Sequence, residues 1–133
     1  MELNFDTGSL GKYRLGEPYE TSTKRLQLPN KENGYCIYVN DNLIDGLFLC
    51  YANGYHDYEC YSGELIWKGS KINIERLAAP ADFDEFFGIP AQSFDDGTEV
   101  SREYLLGEYL VELSWHYNPS PMLTYIIIEK SKQ

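Results

Sequence analysis

The stretch from Tyr104 to Glu129 carries the clearest pattern of apolar and polar positions in the chain. Tyr109, Val111, Leu113, Trp115 and Tyr117 are apolar or aromatic, and Glu108, Leu110, Glu112, Ser114 and His116 between them are mostly polar. Period-two alternation predicts a strand with one buried and one wet face. Asn118-Pro119-Ser120-Pro121 stops it, because proline has no N–H to give to a ladder. Met122–Ile128 is apolar on both parities, the pattern of a strand covered on both faces. The two predict an antiparallel hairpin, 108–117 against 122–129, in the middle of a sheet, with Trp115 and Ile127 in the core.

Elsewhere the runs are shorter. An edge strand is expected near Gly11–Leu15. Pro18 suits a first helical position, and Tyr19 and Leu26 fall near one face, so 18–28 reads as a short helix, with Thr21, Ser22 and Thr23 against it. Residues 29–34 form a loop. Tyr35–Val39 is a strand, Asn40-Asp41-Asn42 a turn and Asp45-Gly46 a bend. Leu47–Tyr51, apolar on both faces, is a central strand. Asn53-Gly54 is a tight-turn dipeptide. Tyr55–Tyr61 reads as an exposed strand or a tyrosine-rich loop. Glu64–Lys68 and Lys71–Ile74 flank Gly69-Ser70, which predicts a hairpin with a type II′ turn. Residues 80–88 form a helix: Pro80 precedes it, Asp82 and Glu85 match a capping box, and Phe83, Phe86 and Phe87 share one side. Gly88 before Ile89-Pro90 ends it. Asp96-Gly97 turns into Val100–Leu106, and Gly107 is a bulge or bend.

These elements give an α+β fold. It is a mostly antiparallel β-sheet of about six to eight strands, with one or two short helices packed on it. The 133 residues fit a single domain, 1–133, with two weakly similar halves, about 1–79 and 80–133. Apolar content of 43% supports a core and argues against disorder. No apolar run is long enough for a membrane span, and the N-terminus lacks a secretory pattern. Three cysteines, Cys36, Cys50 and Cys60, lack metal-ligand spacing and read as reduced, strand-borne thiols of a cytoplasmic protein.

Net charge changes the picture more by position than by size. Residues 80–118 hold nine acids and one base, net −8 of the chain's −10. That field excludes nucleic acid as a partner and suits a basic protein or a solubilising role. Among candidate chemistries, Asp41 to Gly46 fails as a calcium loop because Leu43 takes an oxygen position. Tyr55–Cys60 offers His56, Asp57, Glu59 and Cys60, but on a strand His56 and Cys60 point away from Asp57 and Glu59. A solvated loop or recognition surface is the better reading. His116 belongs to a polar strand face. The acids at 82, 84 and 85 suit the first turn of a helix. No cofactor, no metal and no catalysis are expected.

Leu15-Gly16-Glu17-Pro18 precedes one group of strands and Phe87-Gly88-Ile89-Pro90 the other. This repeat resembles the duplicated units of beta-lactamase inhibitor protein-like folds. With the Gly11–Gly16 opening and the Tyr61–Gly69 hairpin, the chain is similar to small acidic bacterial immunity proteins. The resemblance implies a non-catalytic cytoplasmic protein that binds and neutralises a secreted toxin. Asp95, Asp96, Glu99 and Asp84, with Tyr55 and Tyr58 as aromatic anchors, are the candidate interface. The alternatives are an adaptor module for another protein and a small-molecule-binding or enzymatic domain with a tyrosine-lined pocket.

Overall fold

The computed structural model describes residues 1–52, 55–72 and 79–131. In chain order its strands are β1 (Glu2–Asn4), β2 (Ser9–Leu10), β3 (Tyr13–Arg14), β4 (Arg25–Asn30), β5 (Tyr35–Asn40) and β6 (Leu43–Cys50). They continue as β7 (Glu64–Trp67), β8 (Ser70–Ile72), β9 (Gln92–Asp95), β10 (Glu99–Leu106), β11 (Tyr109–Tyr117) and β12 (Pro121–Lys130). One α-helix among the described residues, α1 (Pro80–Phe87), lies between β8 and β9. The strands form a seven-stranded sheet in the order β4-β5-β6-β12-β11-β10-β9 and a five-stranded sheet in the order β3-β2-β1-β7-β8. Among the described residues every strand pairing is antiparallel except β1 with β7.

The alternation of 109–117 is realised as a strand with one face on the core. Tyr109, Val111, Leu113 and Trp115 are buried while His116 is exposed. β11 pairs with β12 from Tyr109–Lys130 to Tyr117–Pro121, and Thr124 bulges out between Ser114 and Trp115. Ile126 and Ile128 share the inner face with Trp115, whereas Ile127 is only half-buried on the outer face. A strand apolar on both parities is thus covered fully on one side and partly on the other.

Both sheets contribute to one core. Leu3, Phe5, Leu10 and Leu65 of the small sheet meet Ile37, Leu49, Leu113 and Ile126 of the large one. Helix α1 wedges in at one end. Phe83 is fully buried and packs edge-on to Trp115 at 5.7 Å, and Phe87 reaches Phe5, Trp67 and Tyr104 at 5.1–5.3 Å. Phe86 points outward, and its carbonyl accepts a hydrogen bond from Trp67 Nε1. Asp82 sits three residues past the N-cap, Ala79, and its carboxylate accepts from the Ala79 amide at 3.2 Å. Alanine returns no side-chain bond, so only half of the expected capping box exists, and Glu85 has no part in it.

Several local expectations shift, among them the Asp45-Gly46 bend, which lies inside β6, and Pro29-Asn30, which belong to β4. Residues 18–28 are not helical: Arg25–Asn30 pairs with β5, with Leu26 opposite Val39 and Leu28 opposite Ile37. The leucines follow a period of two. Thr21 and Thr23 bond locally to each other and to the Arg25 carbonyl, the competition with helix that short hydroxyl residues offer. Another shift is at the β7–β8 turn, which uses Lys68 and Gly69, both at positive φ, with Trp67 opposite Ser70. That is the sign pattern of a type I′ turn, one residue earlier than the type II′ reading. Asp6 sets it by accepting from both the Lys68 and Gly69 amides, at 2.8 and 2.9 Å. Finally, of the two readings of Gly107, bulge or bend, the structure takes the bend. The glycine occupies the first position of a two-residue turn, with Leu106 opposite Tyr109. Asn53-Gly54, residues 73 and 74, and the end of the β8 reading lie outside the described residues. No described helix is long and apolar enough to cross a membrane.

Candidate functional site

The small sheet and α1 cover the inner face of the large sheet. Among the described residues, its outer face is covered over β5, β6 and part of β12 by the segment 55–61. This segment is neither strand nor open coil. Tyr55–Asp57 makes a single 3-10 turn with His56 and Asp57 at φ 49° and 66°. Glu59 then donates its amide to the Lys31 carbonyl at 2.8 Å, and Tyr61 donates to the Cys50 carbonyl at 2.7 Å. The path runs directly over Gly34, where a Cβ would collide with the Glu59 carbonyl oxygen, and Gly34 itself has φ 73°. Glycine is needed there on both counts.

Under this segment Cys36, Phe48 and Cys50 form a second small core, flanked by Tyr38, Tyr58, Tyr125 and Ile127. Phe48 meets Tyr58 edge-on at 5.6 Å, and Tyr55 stacks on Tyr125 at 6.3 Å. The rings line a cleft of about 580 Å³ with His56, Lys31 and Gln27 among its polar groups. Burial raises the Cys36 thiol above its ordinary range, against a lesser opposing pull from the Tyr58 and Tyr38 hydroxyls. Burial also raises Tyr58 and Tyr38, and the Cys36 thiol adds to both. At neutral pH the cleft therefore presents neutral phenols, with the protonated Cys36 thiol fully buried beneath them. Cys60 is exposed and off any strand, unlike Cys36 and Cys50.

The sequence-derived interface residues fall into three groups. Tyr55 and Tyr58 belong to the covering segment. Glu99 lies opposite His116 on the outer face and lines a depression of about 410 Å³ together with Tyr55 and Tyr125. The fold thus gathers Tyr55, Tyr58 and Glu99 on one side.

Asp95 and Asp96 instead hold the β9–β10 turn. Asp95 accepts from the Gly97 amide at 2.9 Å and from the Tyr117 hydroxyl at 2.8 Å. Asp96 accepts from the Thr98 and Glu99 amides at 2.8 and 2.7 Å. These bonds, first to Gly97 and to Glu99 respectively, lower both carboxyls below the ordinary 3.8. Asp84 sits apart, beyond the first turn of α1. It accepts from the Tyr104 hydroxyl and pairs with Arg102 Nε at 3.6 Å.

Sequence reasoning missed three acids on the outer face: Glu103, Glu112 and Glu129. Glu103 stands directly opposite Glu112, and Glu129 is two residues along β12 from Ile127, the residue opposite Glu112. The turn at Gly107 was the available signal. Once it is a two-residue turn, the pairing of 103 with 112 follows by counting.

The arrangement defines a two-sheet α+β protein with one packed sheet face and one open, aromatic and acidic face. No protein-family model, curated protein or solved structure matches the chain.

Proposed function

We propose that this is a non-catalytic protein-binding protein, a cytoplasmic bacterial immunity protein that binds and neutralises a cognate secreted toxin. The toxin-neutralising role comes from the sequence resemblance. The observation that supports binding is the outer sheet face, where Tyr38, Tyr55, Tyr58 and Tyr125 sit half-exposed beside Phe48 and Ile127. Tyrosines with an apolar body and a wet tip are the residues that protein interfaces favour. The surrounding acidity directs the partner toward basic surfaces and speeds association.

The test is co-expression with the product of the neighbouring gene. Protection from growth arrest and a stable complex on gel filtration are expected, with an association rate that falls as salt rises. Unrelieved arrest with no complex overturns the reading. The volume of the tyrosine-lined cleft favours a second reading, a small-molecule site, since ligand pockets commonly span roughly 300–1,000 Å³. Saturable binding of an aromatic metabolite, abolished by Tyr58→Ala with the fold intact, would support that instead.

A further inference from the structure

Strand register maps the outer face row by row. One row runs from Gln92 through Glu103, Glu112 and Ile127 to Phe48. The next runs from Leu105 through Leu110, Glu129 and Gly46 to Tyr38. Directly opposed residues on a face are roughly 5 Å apart and diagonal ones roughly 7–8 Å. Three carboxylates thus stand on three adjacent strands, bordered by Ile127, Leu105, Leu110 and Tyr125.

Like charges directly opposite each other destabilise a sheet. Among the described residues no ion pair offsets the repulsion: the pairs are Lys71–Glu64 and Arg102–Asp84, and neither involves this strip. The polar contact on it is the Tyr125 hydroxyl, 3.5 Å from Glu112 Oε2. Glu112 is half-buried. Its carboxyl is held above the ordinary 4.5, first by desolvation, then by Glu103, with Glu129 adding to the effect. Beside the strip, Leu105 is 42% exposed, and on neighbouring rows Phe94 is 55% and Met122 56% exposed. A local arrangement that works against the fold and lies on an uncovered apolar face is the mark of a surface shaped by a partner.

We propose that this face docks a basic protein partner, which seats an arginine or lysine side chain on the Glu103–Glu112–Glu129 strip and lays its aliphatic stem along Ile127 and Leu110. Charge complementarity selects the occupant. A cation there relieves the repulsion among the acids, and a second copy of this chain would add three more. A guanidinium fits best, because its planar fork can bridge two carboxylates and stack on Tyr125. The proposal rests on the protein-binding reading and names the surface and the partner's chemistry.

The experiment uses the full chain and a dodecapeptide alternating arginine with threonine, followed by amide chemical-shift mapping and by titration at low and near-physiological salt. Perturbations are expected on β10, β11 and β12. Glu103→Gln/Glu112→Gln should weaken binding about tenfold, while Glu20→Gln/Asp41→Asn, with the same charge change elsewhere, should leave it within about threefold. Equal weakening by both pairs, or perturbations away from this face, would mean diffuse attraction and overturns the proposal. So would sedimentation showing the face buried between two copies. A toxin neutralised equally by the parent chain and by the double glutamine variant refutes this surface but leaves the immunity reading intact. A peptide that maps here when no toxin is neutralised does the reverse.

Discussion

Glu112, on the strip proposed for recognition, works against folding at neutral pH. Its folded-state carboxyl titrates above its ordinary value of 4.5, because it is partly desolvated and faces Glu103. A raised folded value means that the stability tied to the neutral form is fully present below about pH 4.5. That stability is lost as pH rises through the folded value. Glu112→Gln keeps an acceptor for Tyr125 and removes the charge. The variant is therefore expected to be more stable at pH 7 by roughly 0.2–1 kcal/mol, or about 1–4 °C in Tm. The gain should disappear below pH 4.5. Paired melting curves across pH check it, and a constant offset or a lower Tm at pH 7 contradicts it. The thiols give a second residue-scale expectation. Cys36 and Cys50 are fully buried and Cys60 is exposed. Alkylation of the native protein should add one label, and unfolding should release two more; three labels on the native chain would place Cys36 or Cys50 at the surface.

Elements were legible where one rule decided them. The alternation of 109–117, the turn at Asp41-Asn42, the existence of the β7–β8 hairpin and the stop at Gly88 were all readable from local chemistry. What was not readable depended on contacts distant in sequence. Asp6 moves the β7–β8 turn by one residue, and β5 draws 25–30 into a strand. The candidate face was legible as a wet strand face but not as a site, because its acids come from three strands. The covering segment 55–61 has little regular structure, and Gly34 decides whether it can lie down. Gly34→Ala would place a methyl against the backbone of 59–61 at positive φ. A cost of about 1–3 kcal/mol is expected by urea denaturation. Amide exchange at Glu59 and Tyr61, which bond across to Lys31 and Cys50, should quicken at the same time. A neutral substitution with unchanged exchange would mean that the segment is not seated there.

At the scale of the whole molecule, the large sheet draws three strands from before α1 and four from after it. The small sheet joins the N-terminal residues to 64–72. The parallel β1–β7 pair closes a loop of about sixty residues, whose entropic cost must be recovered by the contacts it permits. Those contacts are shared, since Phe87 touches Phe5 and Trp67 of the small sheet and Tyr104 of the large one. Neither sheet can lose its partner without exposing that aromatic cluster, so the chain should unfold as one cooperative unit. The two tryptophans report on different sheets, Trp67 on the small one and Trp115 on the large one. Single-tryptophan variants, Trp67→Phe and Trp115→Phe, should each show fluorescence transitions in urea that coincide with that variant's far-ultraviolet dichroism. The slope should be about 1–3 kcal/mol/M, as for a small two-state protein. If Trp67 reports an earlier midpoint than the dichroism, the five-stranded sheet detaches first and the shared core is weaker than its packing implies. If the midpoints agree, the packed inner face acts as a single rigid support for the outer face, where the partner is proposed to dock.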